Sequence, residues 1–524
     1  MKKLLAFALC AALLTGCTAP VVETTGPAPA QTTAPTESFG PQLSEQIVEI
    51  ELLGNDIAVA GSGVSVSRDI VYYEEKTEYE SGNPYGEGEE WEMHSREEAA
   101  EHLVVNITAP GTYRVTGKLD KGQIRVDLGE NAASDPNAVV NLILDGADIT
   151  CTVGPAILFQ NVYECDGNWS VEAAKPDVNT AAAGANLILA ENSENTLNGS
   201  HVAKIFKDQE EEKKLWKQDG AVYSYMSLNV YGPGALEINA DNEGLDTELH
   251  LTIFGGDITI RSANDGINTN EDGVSVTAIR GGNLRILAGL GEEGDGIDSN
   301  GYLVIYGGTV IASANPAADA GLDSDLGSFV HGGTVVALGA AMDWAESDSG
   351  QVTMNLQFAQ AQRGDIRILR EDGTEVFTFA PAADPVLGQE LRIYQGAILS
   401  CPDFQVGDVY VVFVDGIQMA YTGTDVMMRP GGFGHGQGGM GVPEDREDMP
   451  EPPEGDVQLP PQPSEGMNPT PQGTPPTGPQ NEPPQDPPGG FGGPGGPGMQ
   501  QGEPQTLFIM QDKVNFFSGL TPAE

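Results

Sequence analysis

Acidic side chains recur at matching positions in the middle of this 524-residue chain. Residues 241–325 contain 15 Asp and Glu against three Arg. In the words Asp265-Gly-Ile-Asn268 and Asp295-Gly-Ile-Asp298, polar residues flank an apolar residue that we expect to be buried. Carboxylates on strands about 4.8 Å apart repel one another, and Ca²⁺ relieves this because it takes about six to eight oxygen ligands. The sequence therefore predicts a Ca²⁺ site whose ligands are drawn from Asp246, Asp265, Asn268, Asp295, Asp298, Asp323 and Asp325.

The same words also have a purely structural interpretation. Asp and Asn at the corners of a repeating fold cap backbone N–H groups, so these side chains either bind Ca²⁺ or stabilise turns. Four further residues are weak candidates for contact with a sugar. Arg261 and Arg285 either meet sugar carboxylates or balance local acids, and Tyr302 and Trp344 either stack on sugar rings or pack as half-buried aromatics. No residue is predicted to be catalytic.

An internal repeat positions these residues. Gly-Gly pairs begin at Gly255, Gly281, Gly307 and Gly332, which are 26, 26 and 25 residues apart. Apolar residues alternate on both sides of each pair, as in strands whose alternate side chains share one face. This period is typical of solenoids, and the consensus motifs of leucine-rich repeats and of calcium-binding nonapeptide repeats are absent. The sequence predicts an all-β fold, a parallel β-helix solenoid with three short strands in each coil.

Equivalent apolar positions of successive coils are expected to stack as interior ladders. We expect the polar residues on both sides of the last of these ladders to face outward. The predicted ladders are Ile253, Ile279, Ile305 and Val330; Ile258, Leu284, Val310 and Val335; and Leu245, Ile267, Ile297 and Leu322.

The chain begins with the features of an exported lipoprotein. In residues 1–16, Lys2 and Lys3 precede an apolar run too short to span a bilayer, which is typical of a signal peptide. Leu14-Thr-Gly-Cys17 resembles the bacterial lipoprotein box, so Cys17 is the predicted lipidation site. The lipid is then the only membrane anchor we expect, and it places the protein on the extracellular face of the cell membrane.

Composition divides the rest of the chain. Pro, Thr and Ala dominate the segment after Cys17, and Pro and Gly dominate a long segment near the end. Both are predicted to be disordered because they cannot bury enough apolar surface. An acidic insertion at about 73–101 is predicted to end in a short helix. The predicted divisions are a lipidated flexible stalk at 17–42, a β-helix domain at 43–428, a disordered segment at 429–504 and terminal strands at 505–524.

The charge of the chain limits its partners. The chain has 25 Lys and Arg against 77 Asp and Glu, which gives a formal net charge of -52. This field repels nucleic acids and anionic lipid surfaces, so neither is an expected partner.

The cysteines leave their pairing open. Cys17 carries the predicted lipid, and Cys10 leaves with the signal peptide. Cys151, Cys165 and Cys401 remain, an odd number without the spacing of a metal site. They form either one disulfide and one free thiol or three buried thiols.

Six sequence motifs occur in the chain in the same order as in a known protein family. The motifs are Gly111-Thr-Tyr-Arg-Val-Thr-Gly117, Gly122-Gln-Ile-Arg-Val-Asp127, Leu142-Ile-Leu-Asp-Gly-Ala-Asp-Ile149, Asn264-Asp-Gly-Ile-Asn268, Gly294-Asp-Gly-Ile-Asp-Ser-Asn-Gly301 and Ser400-Cys-Pro402. Because of these motifs, the chain resembles the bacterial carbohydrate-binding-domain family of calcium-dependent β-helix proteins over about residues 47–425.

The resemblance implies a right-handed parallel β-helix, bound Ca²⁺, binding of pectin-type polyuronates and no established catalysis. It carries the family's acidic turn positions over to Asp265, Asp295, Asp298 and Asp323. At other equivalent turns the chain departs from the acidic pattern, because it has an Asn at one and Ala320 at another. The number of metal sites is therefore left open.

These observations predict a surface-anchored, non-catalytic protein that binds acidic polysaccharide through Ca²⁺ on the turns of a β-helix. A pectin- or polygalacturonate-like polymer is the expected partner because a cation bridges carboxylates on both sides. Two alternatives are kept: a cell-surface protein that Ca²⁺ only stiffens, and a Ca²⁺-dependent polysaccharide lyase. The lyase is less favoured because residues 241–325 contain no Lys to act as a base.

Overall fold

The computed structural model describes most of the chain from residue 40 onward. The predicted signal peptide, Cys17, nearly all of the predicted stalk and of the Pro/Gly-rich segment, and the first part of the acidic insertion lie outside the described residues. The described ranges are 40–71, 94–167, 169–202, 205–206, 214–216, 218–340, 343–380, 393–424 and 503–523.

Strands dominate the described chain, and the fold is all-β as the sequence predicts. In chain order the strands are β1 (Ile47–Gly54), β2 (Ile57–Ala60), β3 (Val64–Ser67), β4 (Leu103–Ile107), β5 (Gly111–Leu119), β6 (Gly122–Asp127), β7 (Val140–Thr150), β8 (Ile157–Asn161), β9 (Ala185–Leu189), β10 (Glu194–Gly199), β11 (Ile205–Phe206), β12 (Lys214–Trp216), β13 (Gly220–Ser224), β14 (Leu228–Tyr231), β15 (Ala235–Ala240), β16 (Glu243–Thr247), β17 (Leu251–Ile253), β18 (Asp257–Ser262), β19 (Ile267–Thr269), β20 (Val276–Ile279), β21 (Asn283–Leu287), β22 (Ile297–Ser299), β23 (Tyr302–Ile305), β24 (Thr309–Ser313), β25 (Gly327–Val330), β26 (Thr334–Gly339), β27 (Thr353–Gln362), β28 (Ile366–Arg370), β29 (Glu375–Phe379), β30 (Tyr394–Ser400), β31 (Val409–Val414), β32 (Ile417–Ala420), β33 (Phe508–Ile509) and β34 (Val514–Pro522).

One short α-helix, α1, spans Arg96–Glu101. It begins where the sequence predicts a helix, because Ser95 Oγ accepts a hydrogen bond from the backbone N–H of Glu98 at 3.1 Å and caps the first turn. Across the ranges given above, no helix is both long enough and apolar enough to cross a membrane.

Three ladders of parallel strands hold most of the chain together. The first ladder joins β9, β14, β17, β20, β23 and β25. The second joins β10, β15, β18, β21, β24 and β26. The third joins β4, β6, β8, β13, β16, β19 and β22. From β13 to β22 the chain visits the third, first and second ladders in turn, and each visit adds the next strand to its ladder.

The predicted apolar ladders are present and form the main core. Ile253 pairs with Ile279, Ile279 with Ile305, and Ile305 with Val330 across the first ladder. On the third ladder, Ile267 and Ile297 pair in register and are fully buried. Burial of each such side chain contributes about 1.5–3 kcal/mol, so the repeat stabilises the fold through stacked apolar rows.

The parallel ladders end earlier than the predicted β-helix domain. We expected one solenoid through residue 428, but after β26 the strands pair mainly antiparallel, starting with β26 against β30. These strands have a second apolar core that includes Phe358, Tyr394, Tyr410 and Phe517. The Gly-Gly repeat stops at Gly332, so nothing in the later sequence continues the coils, and antiparallel strands cover an edge that would otherwise be left open. The terminal strand β34 pairs with β27 in this region.

The three cysteines in the described chain are free thiols. Cys151 and Cys401 are buried, whereas Cys165 is partly exposed. Burial raises the pKa of Cys151 to about 12, so its thiol is protonated and unreactive at neutral pH. Of the two alternatives left by the sequence, the structure therefore has the one without a disulfide, and one of the thiols is not fully buried.

Candidate functional site

A row of polar side chains follows the buried apolar residues of the third ladder. Asp246 pairs with Asn268 across β16 and β19, and Asn268 pairs with Asp298 across β19 and β22. Asp323 extends the row by one coil, since the backbone N–H of Ser299 donates to its carbonyl oxygen at 3.2 Å. We call these four residues the polar row. All four were predicted as metal ligands, and the parallel register brings them together.

A second row lies three residues earlier on the same coils and is called here the capping row: Glu243, Asp265 and Asp295. The backbone N–H of Asp295 donates to Asp265 Oδ1 at 2.7 Å, and the backbone N–H of Ala320 donates to Asp295 Oδ1 at 2.5 Å. One oxygen of each of these two Asp side chains therefore caps the next coil, as the structural interpretation of the sequence predicted.

Burial distinguishes this site from the one expected from sequence. The polar residues were expected to face outward, and the alternation of Asn268 and Asp298 with the fully buried Ile267 and Ile297 agrees with this. Their exposure to water nevertheless differs: Asp246 is 0 % exposed and Asp265 and Asn268 are each 8 % exposed, whereas Asp295, Asp298 and Asp323 are partly exposed. Rows on adjacent strands pack side by side and cover one another, so facing away from the apolar core does not by itself leave a side chain in water.

Burial raises the pKa values of these carboxyl groups. Burial and the nearby carboxylate of Glu243 raise the pKa of Asp246 and of Asp265 well above its ordinary value. Burial, followed by the carboxylate of Asp323, raises the pKa of Asp295 to about 8 and that of Asp298 to about 7. The cause is the same throughout: a negative charge is withdrawn from water and placed beside other negative charges.

Two buried oxygens of the polar row accept no hydrogen bond from an N–H or hydroxyl group of the described residues, namely Asp246 Oδ2 and Asn268 Oδ1. The other polar atom of each side chain forms a hydrogen bond: Asn270 Nδ2 donates to Asp246 Oδ1 at 2.5 Å, and Asn268 Nδ2 donates to Glu243 Oε1 at 3.3 Å. Asp246 also lies within hydrogen-bonding reach of the Glu243 carboxyl group, so without a cation these two acids would share a proton. Unmatched buried oxygens are costly in free energy, and they are the chemical type of ligand that hard cations such as Ca²⁺ accept. These oxygens are therefore of the chemical type that Ca²⁺ binds.

The geometry of these rows is not a closed metal cage. Within the ranges that the structure describes, no three His, Cys, Asp or Glu side chains are grouped so as to hold an ion directly.

Sequence reasoning missed three acidic residues of this site, Asp219, Glu243 and Asp343. Asp219 is 2% exposed, and its carboxylate contributes to the raised pKa of Asp246. Glu243 occupies the same coil position as Asp265, and that equivalence in the repeat was a signal that could have identified it. Asp343 Oδ2 accepts a hydrogen bond from the backbone N–H of Ser324 at 3.0 Å, and burial, followed by the carboxylate of Asp323, raises its pKa to about 8. Asp343 lies beyond the last Gly-Gly pair, so no repeat spacing indicated it. The predicted ligand Asp325 is exposed, at the edge of the site.

The weak sugar-contact candidates are distributed around the ladders. Arg285 forms an ion pair with Asp257 at 2.8 Å, which corresponds to the predicted balancing of local acids. Tyr302 is half-buried, with its ring centroid 6.2 Å from that of Phe329. Trp344 packs edge-on against the ring of Phe516, with the centroids 6.0 Å apart. Arg261 lies on β18 in the second ladder.

Fold and site define an all-β protein whose stacked parallel strands carry rows of buried and partly buried carboxylates. The chain belongs to the family of carbohydrate-binding domain-containing proteins, whose profile matches residues 101–373, just over half of its length. A carbohydrate-binding domain-containing protein of Acetivibrio thermocellus is 31% identical over 159 residues, which cover 30% of this chain and 45% of that relative. The chain thus spans less than half of the relative's length.

Among solved structures, the chain is similar to the polysaccharide lyase-like protein from C. thermocellum, in a gadolinium derivative. It is 22% identical, and the alignment covers 55% of this chain and 93% of that chain with a TM-score of 0.33. A TM-score this low supports no inference about fold or activity.

Proposed function

We propose that this protein is a non-catalytic binder of acidic polysaccharide that uses Ca²⁺ held at the polar and capping rows. The observation that carries the proposal is the pair of buried, unmatched oxygens, Asp246 Oδ2 and Asn268 Oδ1, among carboxylates with raised pKa values. Without a cation such a site keeps protons on its carboxyl groups, and a bound cation would replace those protons.

The architecture behind the proposal is a right-handed parallel β-helix. Its support is the fixed rotation of the chain through three parallel ladders, with register conserved from β13 to β22. Right-handedness is the expected sense for a crossover between parallel strands of one sheet. A solenoid of this kind repeats its ligand groups along one direction, which suits a repeating polymer.

The ligands for Ca²⁺ come from both rows. Asp246, Asn268, Asp298 and Asp323 of the polar row and the second oxygens of Asp265 and Asp295 would supply ligands at successive coils, with Asp325 at the edge. Because the rows run over four coils about 4.8 Å apart, one ion would be shared only by neighbouring coils, and water or sugar oxygens would complete its shell. When bound, Ca²⁺ supplies positive charge that neutralises the rows and attracts sugar carboxylates. The strand register spaces the ligand oxygens, and burial keeps Asp246, Asp265 and Asn268 away from water.

The choice of an acidic polysaccharide follows from charge. A chain with a net charge of -52 repels a polyanion, and a bound divalent cation reverses the sign locally. The family supports a carbohydrate partner. A pectin- or polygalacturonate-like polymer is the partner that combines a sugar with regularly spaced carboxylates.

Cell-surface anchoring is part of the proposal. In this proposal residues 1–16 direct export and Cys17 receives a lipid. The lipid then holds the protein on the extracellular face of the membrane. A surface-held binder retains polysaccharide near the cell without needing to cleave it.

A calcium-stiffened structural protein is the second candidate. It is favoured by the backbone caps made by Asp265 and Asp295, since a capping carboxylate stabilises a coil whether or not a sugar is present. In this case Ca²⁺ would raise the melting temperature of the protein without creating a sugar-binding site.

Calorimetric titration of the full chain with polygalacturonate separates the two candidates. We expect Ca²⁺ to strengthen binding, a chelator to remove this Ca²⁺-dependent part of the binding, and no unsaturated product absorbing in the ultraviolet to form. Asp298→Asn should weaken Ca²⁺-dependent binding, whereas Asp257→Asn, which changes an exposed carboxylate on the second ladder, should not. Calcium-dependent stability without heat from any acidic glycan would contradict the proposal and favour the structural candidate.

A further inference from the structure

Another row, on the first ladder, combines aromatic rings with one arginine. The residues that directly follow the apolar row of that ladder are Tyr231, Phe254, Arg280, Tyr306 and His331, and backbone hydrogen bonds of 2.7–2.9 Å keep successive coils in step. The rings of Tyr231 and Phe254 are stacked, with centroids 4.6 Å apart. We call these five residues the aromatic–arginine row.

The centre of this row is a guanidinium group over a ring. Arg280 Cζ lies 4.4 Å from the centroid of the Tyr306 ring, and the His331 ring lies 5.4 Å from the same ring. A cation over an aromatic face is attracted by the electrons of the ring, which orients the guanidinium. Arg280 is 29% exposed, so solvent and ligands reach it.

Further rings extend the same face. Tyr302 is the first residue of β23 and Tyr306 directly follows its last, four residues later, and alternate side chains of a strand share a face. Phe329 on β25 lies 6.2 Å from the rings of both Tyr302 and His331. All three of these rings are at least partly exposed. Aromatic faces of this kind accept the apolar C–H face of a sugar ring.

This face already holds a carboxylate. Asp177 Oδ1 lies 3.1 Å from Arg280 Nη2 and accepts a hydrogen bond from the Tyr306 hydroxyl at 3.2 Å. The Asp177 side chain is 79% exposed, so burial does not force it into this position. Guanidinium and phenol together thus bind a carboxylate within the protein itself, which is the chemistry that a uronate would require.

The segment carrying Asp177 has its own anchors. Val178 packs against the apolar patch of Val276, Ala278 and Val304. Thr180 Oγ1 is 2.7 Å from both Asn229 Oδ1 and Thr252 Oγ1. The segment therefore stays in place when the Asp177 carboxylate leaves Arg280.

We propose that Arg280 and Tyr306, with the rings of Tyr302, Phe329 and His331, form a metal-independent site for a uronate unit of an acidic polysaccharide. Asp177 occupies this site in the unliganded protein and is displaced by the sugar carboxylate. The site deepens the proposed function, on which the choice of a uronate rests, and it differs from the carboxylate rows because its cation belongs to the chain.

Titration of the full chain with trigalacturonate in the presence of a chelator tests the site. We expect Arg280→Gln to weaken binding about tenfold, the effect of losing one hydrogen-bonded charge pair. Arg285→Gln is the matched control, because Arg285 is also 29% exposed and also paired with an Asp, yet lies on the second ladder. Equal losses in the two variants, or no loss in Arg280→Gln, would overturn the proposal.

A second variant is expected to bind the sugar more tightly, so a failure to fold cannot be mistaken for support. Asp177→Asn removes the competing charge and should raise the affinity for trigalacturonate, while the anchors of Val178 and Thr180 remain. An affinity that stays the same or falls would show that Asp177 does not stand in for a ligand. Equal binding of an oligoglutamate peptide would overturn the assignment to a sugar.

The outcomes separate this site from the Ca²⁺ site. Chelator-resistant binding that requires Arg280 supports the aromatic–arginine site even if polygalacturonate shows no response to Ca²⁺. Calcium-dependent binding of polygalacturonate with no trigalacturonate binding in chelator supports the proposed function and overturns this inference.

Discussion

On the third ladder, an apolar row and the polar row occupy neighbouring positions on the same strands. Ile267 and Ile297 stack in one row, and Asn268 and Asp298 stack in the next, with the same register. Stacking removes apolar surface from water and stabilises the first row, whereas it brings carboxylates together and destabilises the second. The comparison shows that one repeat can build an apolar core and a row of carboxylates at once, because backbone hydrogen bonds hold the strand register whatever side chains the strands carry.

The largest expected effect comes from breaking the apolar row. Ile267→Ala leaves a cavity between neighbouring coils, since Ile267 is fully buried, and should lower the free energy of unfolding by about 2–5 kcal/mol. Denaturant unfolding measures this. Leu290→Ala removes a side chain that is 41% exposed and serves as the control. Similar losses in both variants would contradict the role given to the stacked row.

The carboxyl groups of the polar and capping rows should make stability depend on pH when metal is absent. The pKa of Asp298 is about 7 and that of Asp295 is about 8 in the folded protein, above the ordinary value, so the folded state retains protons that the unfolded chain releases. This stabilising contribution is complete below the ordinary pKa of Asp and is lost as the pH rises through about 7 to 8. Between about pH 6 and pH 7 the free energy of unfolding should fall by on the order of 1 kcal/mol for each such group.

Thermal unfolding in chelator across this pH range is the measurement. Asp298→Asn should flatten the dependence, and added Ca²⁺ should abolish it while raising the melting temperature. A stability that rises with pH in chelator would be inconsistent with buried, cation-free carboxylates.

The smallest effect is expected for an acid that already has its own cation. Asp257 is 51% exposed and paired with Arg285, and exposed pairs of this kind contribute about 0–1 kcal/mol. Asp257→Asn should therefore change the free energy of unfolding by less than about 1 kcal/mol, with no change in the response to Ca²⁺. A larger loss, measured by denaturant unfolding with and without Ca²⁺, would remove the distinction between buried and exposed acids.

Much of the fold and part of the site could be predicted from periodicity. The spacing of Gly255, Gly281 and Gly307 placed the apolar ladders correctly because residues one repeat apart occupy the same position on adjacent strands. The same logic brought Asp246, Asn268 and Asp298 into one row. Periodicity could not indicate Asp343, which lies outside the repeat, or the antiparallel strands after β26.

The sequence by itself determined the all-β class, the strand register and the rows of acidic residues, because a repeat sets which residues are equivalent. Tertiary structure alone decided how deeply those acids are buried, which oxygens cap backbone groups and which stay unmatched. It also placed Asp177 on Arg280, two residues 103 positions apart. Burial and long-range contacts depend on what packs against a strand, and that is a property of the folded chain rather than of its local pattern.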